Sequence, residues 1–160
     1  MRILTVRQPW AWAIIHGGKD VENRVRNIAG DYRGAVAIHA GLAPFEKDNA
    51  ASRAHVAAHG GETDTVLHYG GIIGVVDLVD VHSASVIDGC GRMDNHCHEH
   101  PDGCRRHCST WAMGPAPEGW YQHLVLANPR ALAQPIPYRG ALGLRHLEDD
   151  IVARIEGALA

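Results

Sequence analysis

The sequence lacks any apolar run near the ~18 residues that a helix needs to cross a bilayer, and it lacks the apolar core of an export signal. The first ten residues carry Arg2, Arg7 and Pro9 where that core would have to lie. We therefore expect a cytoplasmic chain with no membrane partner. In that reducing compartment, the four cysteines are expected to bind a metal or to stay as thiols rather than to form disulfides.

The sequence also has no excess of positive charge, and it has only two lysines beside thirteen arginines. A net charge of −3 does not by itself favour a nucleic-acid partner. The charge is unevenly distributed: residues 1–34 hold six basic and three acidic side chains, residues 129–146 hold three arginines and no acid, and residues 62–102 hold eight acids and one arginine. If both ends meet in the fold, they form one basic surface. The alternative is a chance segregation of surface charge.

Hydrophobic residues make up 46% of the 160 residues, which suffices for an ordinary core and argues against disorder. We expect a single domain over residues 1–160. Apolar alternation, helix-start prolines and glycine stops predict strands at Ile3–Arg7, Val21–Val25, Ala35–Ala40, Gly71–Val81, Gln122–Ala127 and Ala141–His146, and helices at Pro9–Ile15, Pro44–Ala58 and Glu148–Ala160. This pattern has no regular β-α-β alternation, so it predicts an α+β fold: a small mixed β-barrel with helices packed on it.

All four cysteines lie within residues 90–108, together with four histidines. We interpret this stretch as a loop inserted at about 88–110, because it shows no apolar periodicity. Thiolate and imidazole are the ligands that zinc prefers, and a bound ion contributes folding free energy to a loop. We therefore expect one structural zinc. The first choice of ligands is Cys90, Cys97, Cys104 and Cys108, and the second is the same set with one histidine in place of a cysteine. The spacings are wider than Cys-x2-Cys, so a loop with free thiols is the other interpretation.

Residues 17–24 match the pattern Gly-x-Lys-x-x-Glu-x-Arg. Four further blocks accompany it in order: residues 4–10, 32–40, 71–77 and 124–140. In these five blocks the chain resembles the ASCH (activating signal cointegrator homology) domain family of the PUA-like superfamily. The resemblance covers most of the chain except about 44–69, 83–108 and the last dozen residues.

The resemblance implies a PUA-like barrel with a helix packed across it, and a cleft between the two that the signature lines. It further implies a role in binding RNA, transcription coactivation or RNA processing. Some small relatives are hydrolases, either removing acetyl from acetylated cytidine or acting as ribonucleases. The expected partner is therefore RNA, another single-stranded nucleic acid, or a nucleotide.

The chemistry of the signature suits this role. Lys19 offers a compact charge for phosphate, Arg24 offers a bidentate fork, and Glu22 can accept hydrogen bonds from a base amine. Trp10 and Tyr32 are candidate stacking surfaces for an unpaired base. The expected nucleic-acid-binding residues are Arg7, Gln8, Trp10, Lys19, Glu22, Arg24, Tyr32, His39, Asn128 and Arg130.

The same residues also have purely structural interpretations. Lys19, Glu22 and Arg24 could form a buried ion network that fixes a helix-to-strand junction, and tryptophans are more often core than platform.

Two other functions are open. A hydrolase could use a Lys19 of lowered pKa beside Glu22 as its catalytic pair. The amidohydrolase relatives, however, place a threonine three residues after their lysine, where this chain has Glu22. A protein–protein adaptor could instead use the cysteine- and histidine-rich loop as its contact surface.

Overall fold

The structure, a computed structural model, describes residues 1–43, 49–58, 60–61, 66–84, 108–113 and 121–160. Within these ranges the chain forms six strands and three helices. They are β1 (Arg2–Val6), α1 (Trp10–His16), β2 (Val21–Arg24), β3 (Gly34–Ala40), α2 (Asn49–Ala58), β4 (Gly71–Ser83), β5 (Gln122–Pro137), β6 (Leu144–His146) and α3 (Asp149–Leu159). In this described part no helix is long and apolar enough to cross a membrane.

The six strands form one sheet in the order β2-β5-β4-β3-β1-β6. Strands β1 and β3 run parallel, and the other neighbouring pairs run antiparallel. The result is a mixed half-barrel with short helices packed on it, which confirms the α+β fold predicted from the sequence. The inserted loop expected at about 88–110 lies mostly outside the described residues and stays a prediction.

Alternating side chains along the strands supply two hydrophobic clusters, one on each face of the sheet. On one face, Ile38 of β3 packs with Ile14 and Ile15 of α1. On the other face, Ile151 and Ile155, one turn apart in α3, pack against the sheet. The sheet is therefore covered by a different helix on each side.

Helix α1 approaches the sheet closely where β4 carries Gly74. A Cβ at that position would stand 2.7 Å from Cδ1 of Ile15 and 2.6 Å from the backbone oxygen of Arg130. Only a residue without a side chain fits there while both neighbours keep their positions. This contact fixes how closely α1, and the chain entering it, lies over the strands.

Strand β5 is longer than expected. The sequence predicts a strand over Gln122–Ala127, whereas β5 continues through Pro129 to Pro137, with register shifts against β4 and a positive φ of 50° at Asn128. One edge of β5 pairs with β4, and the other edge pairs with β2 only over 122–125. Beyond that point the edge has no neighbouring strand in the described sheet, so proline, which has no N–H to donate, is tolerated.

Candidate functional site

A cleft of about 1650 Å³ opens where several chain segments end together. It is lined by the ends of β1 and β3, the start of α1, strand β2, residues 110–113 and the connection between β5 and β6. Small-molecule sites in proteins are typically ~300–1,000 Å³, so this cleft has room for a longer ligand.

The two basic ends of the sequence meet in this cleft. Arg7, Lys19 and Arg24 come from the first end, and Arg139 comes from the second. Glu22 is the one carboxylate among the described lining residues. Positive charge therefore dominates the described lining, although the net charge of the whole chain is −3.

The signature side chains form an ion network centred on Glu22. Its carboxylate lies 3.3 Å from Nζ of Lys19 and 3.2 Å from a guanidinium nitrogen of Arg24. Lys19 also donates a hydrogen bond to the backbone oxygen of Val21, and Arg24 donates one to the backbone oxygen of Thr5 at 2.9 Å. The network expected as a structural alternative is thus present, and its members also line the cleft.

Lys19 is buried, with only 5% of its surface exposed. Burial lowers the pKa of Lys19 below its ordinary value, because an ammonium loses hydration there; the charge of Glu22 offsets part of the fall. The Lys19 ammonium is thus easier to deprotonate than that of a surface lysine.

Trp10, Trp111 and Tyr138 form the aromatic part of the cleft. Trp10 and Trp111 meet edge to face, with ring centroids 6.4 Å apart and an interplanar angle of 85°. Nζ of Lys19 lies 5.8 Å from the centroid of the Trp111 ring, within the range of a cation–π contact. Sequence reasoning missed Trp111, because nothing in its local sequence links it to the distant signature.

His39 lies at the floor of the cleft and is 2% exposed. Its Nε2 lies 3.0 Å from the backbone oxygen of Tyr138, to which the ring donates. Burial lowers the pKa of His39, which favours the neutral ring, and the hydrogen bond to Tyr138 offsets part of that effect. Gly140 makes room for this ring, since a Cβ there would stand 2.6 Å from Cε1 of His39.

Six of the ten expected binding residues line the cleft: Arg7, Trp10, Lys19, Glu22, Arg24 and His39. Gln8 and Tyr32 do not. Gln8 is 1% exposed and is hydrogen-bonded to the backbone of Trp12 and His68. Tyr32 packs against the hydrophobic core, with its hydroxyl donating to the backbone oxygen of Ala35.

Asn128 and Arg130 also lie outside the cleft lining, on β5. Both bind the carboxylate of Asp77 on β4, Arg130 at 2.7 Å and Asn128 at 2.9 Å. These hydrogen bonds, that of Arg130 first, hold the pKa of Asp77 below its usual range. The cluster ties the two strands together at the point where their register shifts.

The segment 108–113 is tied to strand β2 and to the residue before it. Ser109 donates to the carboxylate of Asp20 and accepts from the backbone N–H of Trp111 at 3.0 Å. The side chain of Asn23 donates to the backbone oxygen of Trp111 and accepts from the backbone N–H of Met113, each at 2.9 Å. These bonds hold Trp111 beside the signature.

A second cluster contains His82 on β4, His123 on β5 and Cys108, whose ligand atoms all lie within 4.8 Å of one another. This group could hold a metal ion. Of the four cysteines expected to bind zinc, Cys108 belongs to it, whereas Cys90, Cys97 and Cys104 lie outside the described residues. Sequence reasoning missed the two histidines, because each stands alone in its own strand.

Comparisons with known proteins agree with this architecture. The model of the ASCH domain family matches residues 4–136. Among solved structures, the fold is similar to a mutant of ZmASCH from Zymomonas mobilis, with a TM-score of 0.56 and 14% sequence identity over 99% of this chain and 98% of that one. A search of curated proteins found no match.

Proposed function

Because the chain belongs to the ASCH domain family, a family associated with RNA binding, we propose that its cleft binds single-stranded RNA or a nucleotide. The observation that carries this proposal is the meeting of the two basic ends around one cleft. A concave basic surface attracts the phosphate backbone over a distance and raises the rate of encounter.

In this proposal the exposed cations contact phosphate and the tryptophans contact a base. Arg7 and Arg139 are exposed on the cleft, where a phosphate keeps its access to both. Trp10 or Trp111 offers a ring to an unpaired base, and such stacking is worth ~1–3 kcal/mol per base. Glu22 retains acceptor capacity for a base amine, because an ionised carboxylate has about four lone-pair sites.

The proposed binding set is smaller than the one expected from the sequence. It keeps the six expected residues that line the cleft and adds Arg139 and Trp111. Gln8, Tyr32, Asn128 and Arg130 are left out, because they lie outside the lining of the cleft.

Charge-removing variants test this proposal. We expect Lys19→Ala, Arg24→Ala and Arg139→Ala each to weaken binding of a single-stranded RNA, and each lost phosphate contact to reduce the slope of log affinity against log salt by about 0.7. Arg154→Ala is the matched control, since it removes an exposed arginine from α3, away from the cleft lining. The measurements are RNA titrations at several salt concentrations, with thermal unfolding of each variant.

The structural alternative gives a different result. If Lys19 serves only to neutralise Glu22, removing it costs ~3–5 kcal/mol of stability and leaves the salt slope unchanged. Arg139 is not part of the ion network, so Arg139→Ala reports on binding even where Lys19→Ala unfolds the protein. RNA affinity and salt slope that match the wild type in Arg139→Ala and Arg24→Ala would refute the proposal.

A hydrolase is the second candidate, favoured by the lowered pKa of Lys19 beside Glu22. A deprotonated amine can act as a base or nucleophile in the cleft. Turnover of RNA or of acetylated cytidine that disappears in Lys19→Ala would support this function over simple binding.

We further propose that the chain binds zinc as a structural ion. Cysteines grouped near histidines, in a chain expected from its sequence to be cytoplasmic, suit zinc better than a disulfide. The first expected ligand set, Cys90, Cys97, Cys104 and Cys108, stays a prediction because only Cys108 is described. A site that binds Cys108 together with other residues would replace this set, since one thiolate serves one ion in a mononuclear site.

A further inference from the structure

We propose that His82, His123 and Cys108 bind one zinc ion directly, and that this ion fixes the segment 108–113 as a wall of the cleft. This metal centre does not depend on the proposed RNA binding, since its argument rests on a different group of residues.

The strand register brings the two histidines together. His82 of β4 is the direct partner of His123 on β5, so their side chains project from the same face of the sheet. The rings meet edge to face with centroids 5.3 Å apart. Because both strands belong to the central sheet, two of the three ligands are held by the framework of the fold.

The position of Cys108 fits the edge of a zinc tetrahedron. Its Sγ lies 3.5 Å from Nδ1 of His123. A sulfur at ~2.3 Å and a nitrogen at ~2.05 Å from a tetrahedral ion are about 3.5 Å apart. The pair thus has the separation that zinc requires, and the three donors all lie within 4.8 Å of one another, so they would close by at most ~1.5 Å around an ion.

Each histidine has an oxygen acceptor on the nitrogen that would not bind the metal. Nδ1 of His82 lies 2.8 Å from the carboxylate of Asp80, and Nε2 of His123 lies 2.8 Å from the backbone oxygen of Met113. An oxygen acceptor keeps the proton on the facing nitrogen, so the other nitrogen carries a lone pair. Metal-binding histidines almost always have such a partner, which fixes the tautomer and the ring orientation.

The nitrogen of His82 that remains for a metal is Nε2. This atom is buried and has no hydrogen-bond partner within the described residues. A buried nitrogen without a partner costs free energy, and an ion removes that cost. Two imidazoles and a thiolate form a borderline-soft donor set that suits zinc, rather than the all-oxygen set that suits magnesium or calcium.

The metal centre is linked to the cleft through Met113. The backbone oxygen of Met113 binds His123, and its N–H binds the side chain of Asn23, next to Glu22. Cys108 holds the other end of the same short segment. The ion would thus anchor both ends of the stretch that carries Trp111 into the cleft.

Metal content is the first test. The protein, purified without added metal or chelator, should contain about one zinc per chain by elemental analysis. His82→Gln and His123→Gln should lose that zinc, whereas His146→Gln, which changes an exposed histidine on β6, should keep it. Cobalt substitution should give a thiolate charge-transfer band that disappears in Cys108→Ser.

A milder variant keeps the test valid if His123→Gln, which changes a buried residue, does not fold. Asp80→Asn leaves all three ligands in place, and we expect it to lower zinc affinity about 10–100-fold in competition with a chelator. Wild-type protein that neither contains nor takes up zinc would refute the proposal. Full zinc content in folded His82→Gln protein would refute it equally, because the ion would then be held elsewhere.

Discussion

The amide of Gln8 joins the start of α1 to a distant backbone group. Its oxygen accepts from the N–H of Trp12, in the first turn of the helix, and its nitrogen donates to the oxygen of His68, each at 2.9 Å. Pro9 at the N-cap position makes no side-chain cap, so Gln8 satisfies a helix N–H that lacks a partner within the helix.

We therefore expect Gln8→Ala to destabilise the fold by ~1–3 kcal/mol, because it leaves the N–H of Trp12 and the backbone oxygen of His68 without these part-buried hydrogen bonds. RNA affinity and its salt dependence should stay unchanged below the unfolding transition. Gln122→Ala serves as the control: it removes an exposed amide, and we expect a change within ~0.5 kcal/mol. Chemical denaturation measures the stability of each variant. Loss of RNA affinity in folded Gln8→Ala would show that Gln8 takes part in RNA binding.

Gln8 also shows that local sequence does not determine which side chains face a cleft. Gln8 and Arg7 are neighbours, and the sequence assigned both to the binding surface. Arg7 faces the cleft and Gln8 lies in the interior. Which side of a turn faces a ligand depends on the packing of elements far away in sequence, and local sequence does not contain that information.

At the scale of elements, Gly74 sets the distance between α1 and the sheet. We expect Gly74→Ala to cost ~1–3 kcal/mol, since its Cβ would overlap Ile15 and the backbone oxygen of Arg130. Gly157→Ala is the matched control in α3, where a Cβ meets nothing within 4 Å. There we expect a gain of ~0.5–1 kcal/mol, because alanine suits a helix interior better than glycine. Denaturant titration of both variants checks that their free energies of unfolding change in opposite directions. Equal changes in the two variants would contradict the close approach of α1 to the sheet.

The elements were mostly predictable, and the exceptions have physical causes. Periodicity located the buried β4 and the amphipathic α3, because each buries a face with a clear repeat. Periodicity predicted the end of β5 too early, at Asn128-Pro129. The sequence does not show that, beyond residue 125, the edge of β5 facing β2 has no neighbouring strand in the described sheet. It also missed the pairing of His82 with His123, which becomes visible only once β4 and β5 are placed in register.

At the scale of the whole molecule, the cleft joins residues that are far apart in the chain. The uneven charge distribution suggested that the two basic ends meet, and Arg7 and Arg139 do line one cleft. Trp111 and Met113 complete it from a segment that the sequence pattern could not place. The proposed metal centre and the proposed RNA surface therefore share one short stretch of chain.

This sharing predicts a coupling between the two ligands. Removing zinc with a chelator should release the segment that carries Trp111 and weaken RNA binding by a factor of about 5–150, the usual range for coupled sites. Reciprocity requires that RNA raise the affinity for zinc by the same factor. Both quantities can be measured on the wild type by RNA titration with and without zinc, and by zinc competition with and without RNA. His146→Gln should behave as the wild type, and His82→Gln should bind RNA as weakly as the chelated protein. If zinc-loaded and zinc-free protein bind RNA equally, the segment 108–113 keeps its position without the ion, and the metal has no part in shaping the cleft.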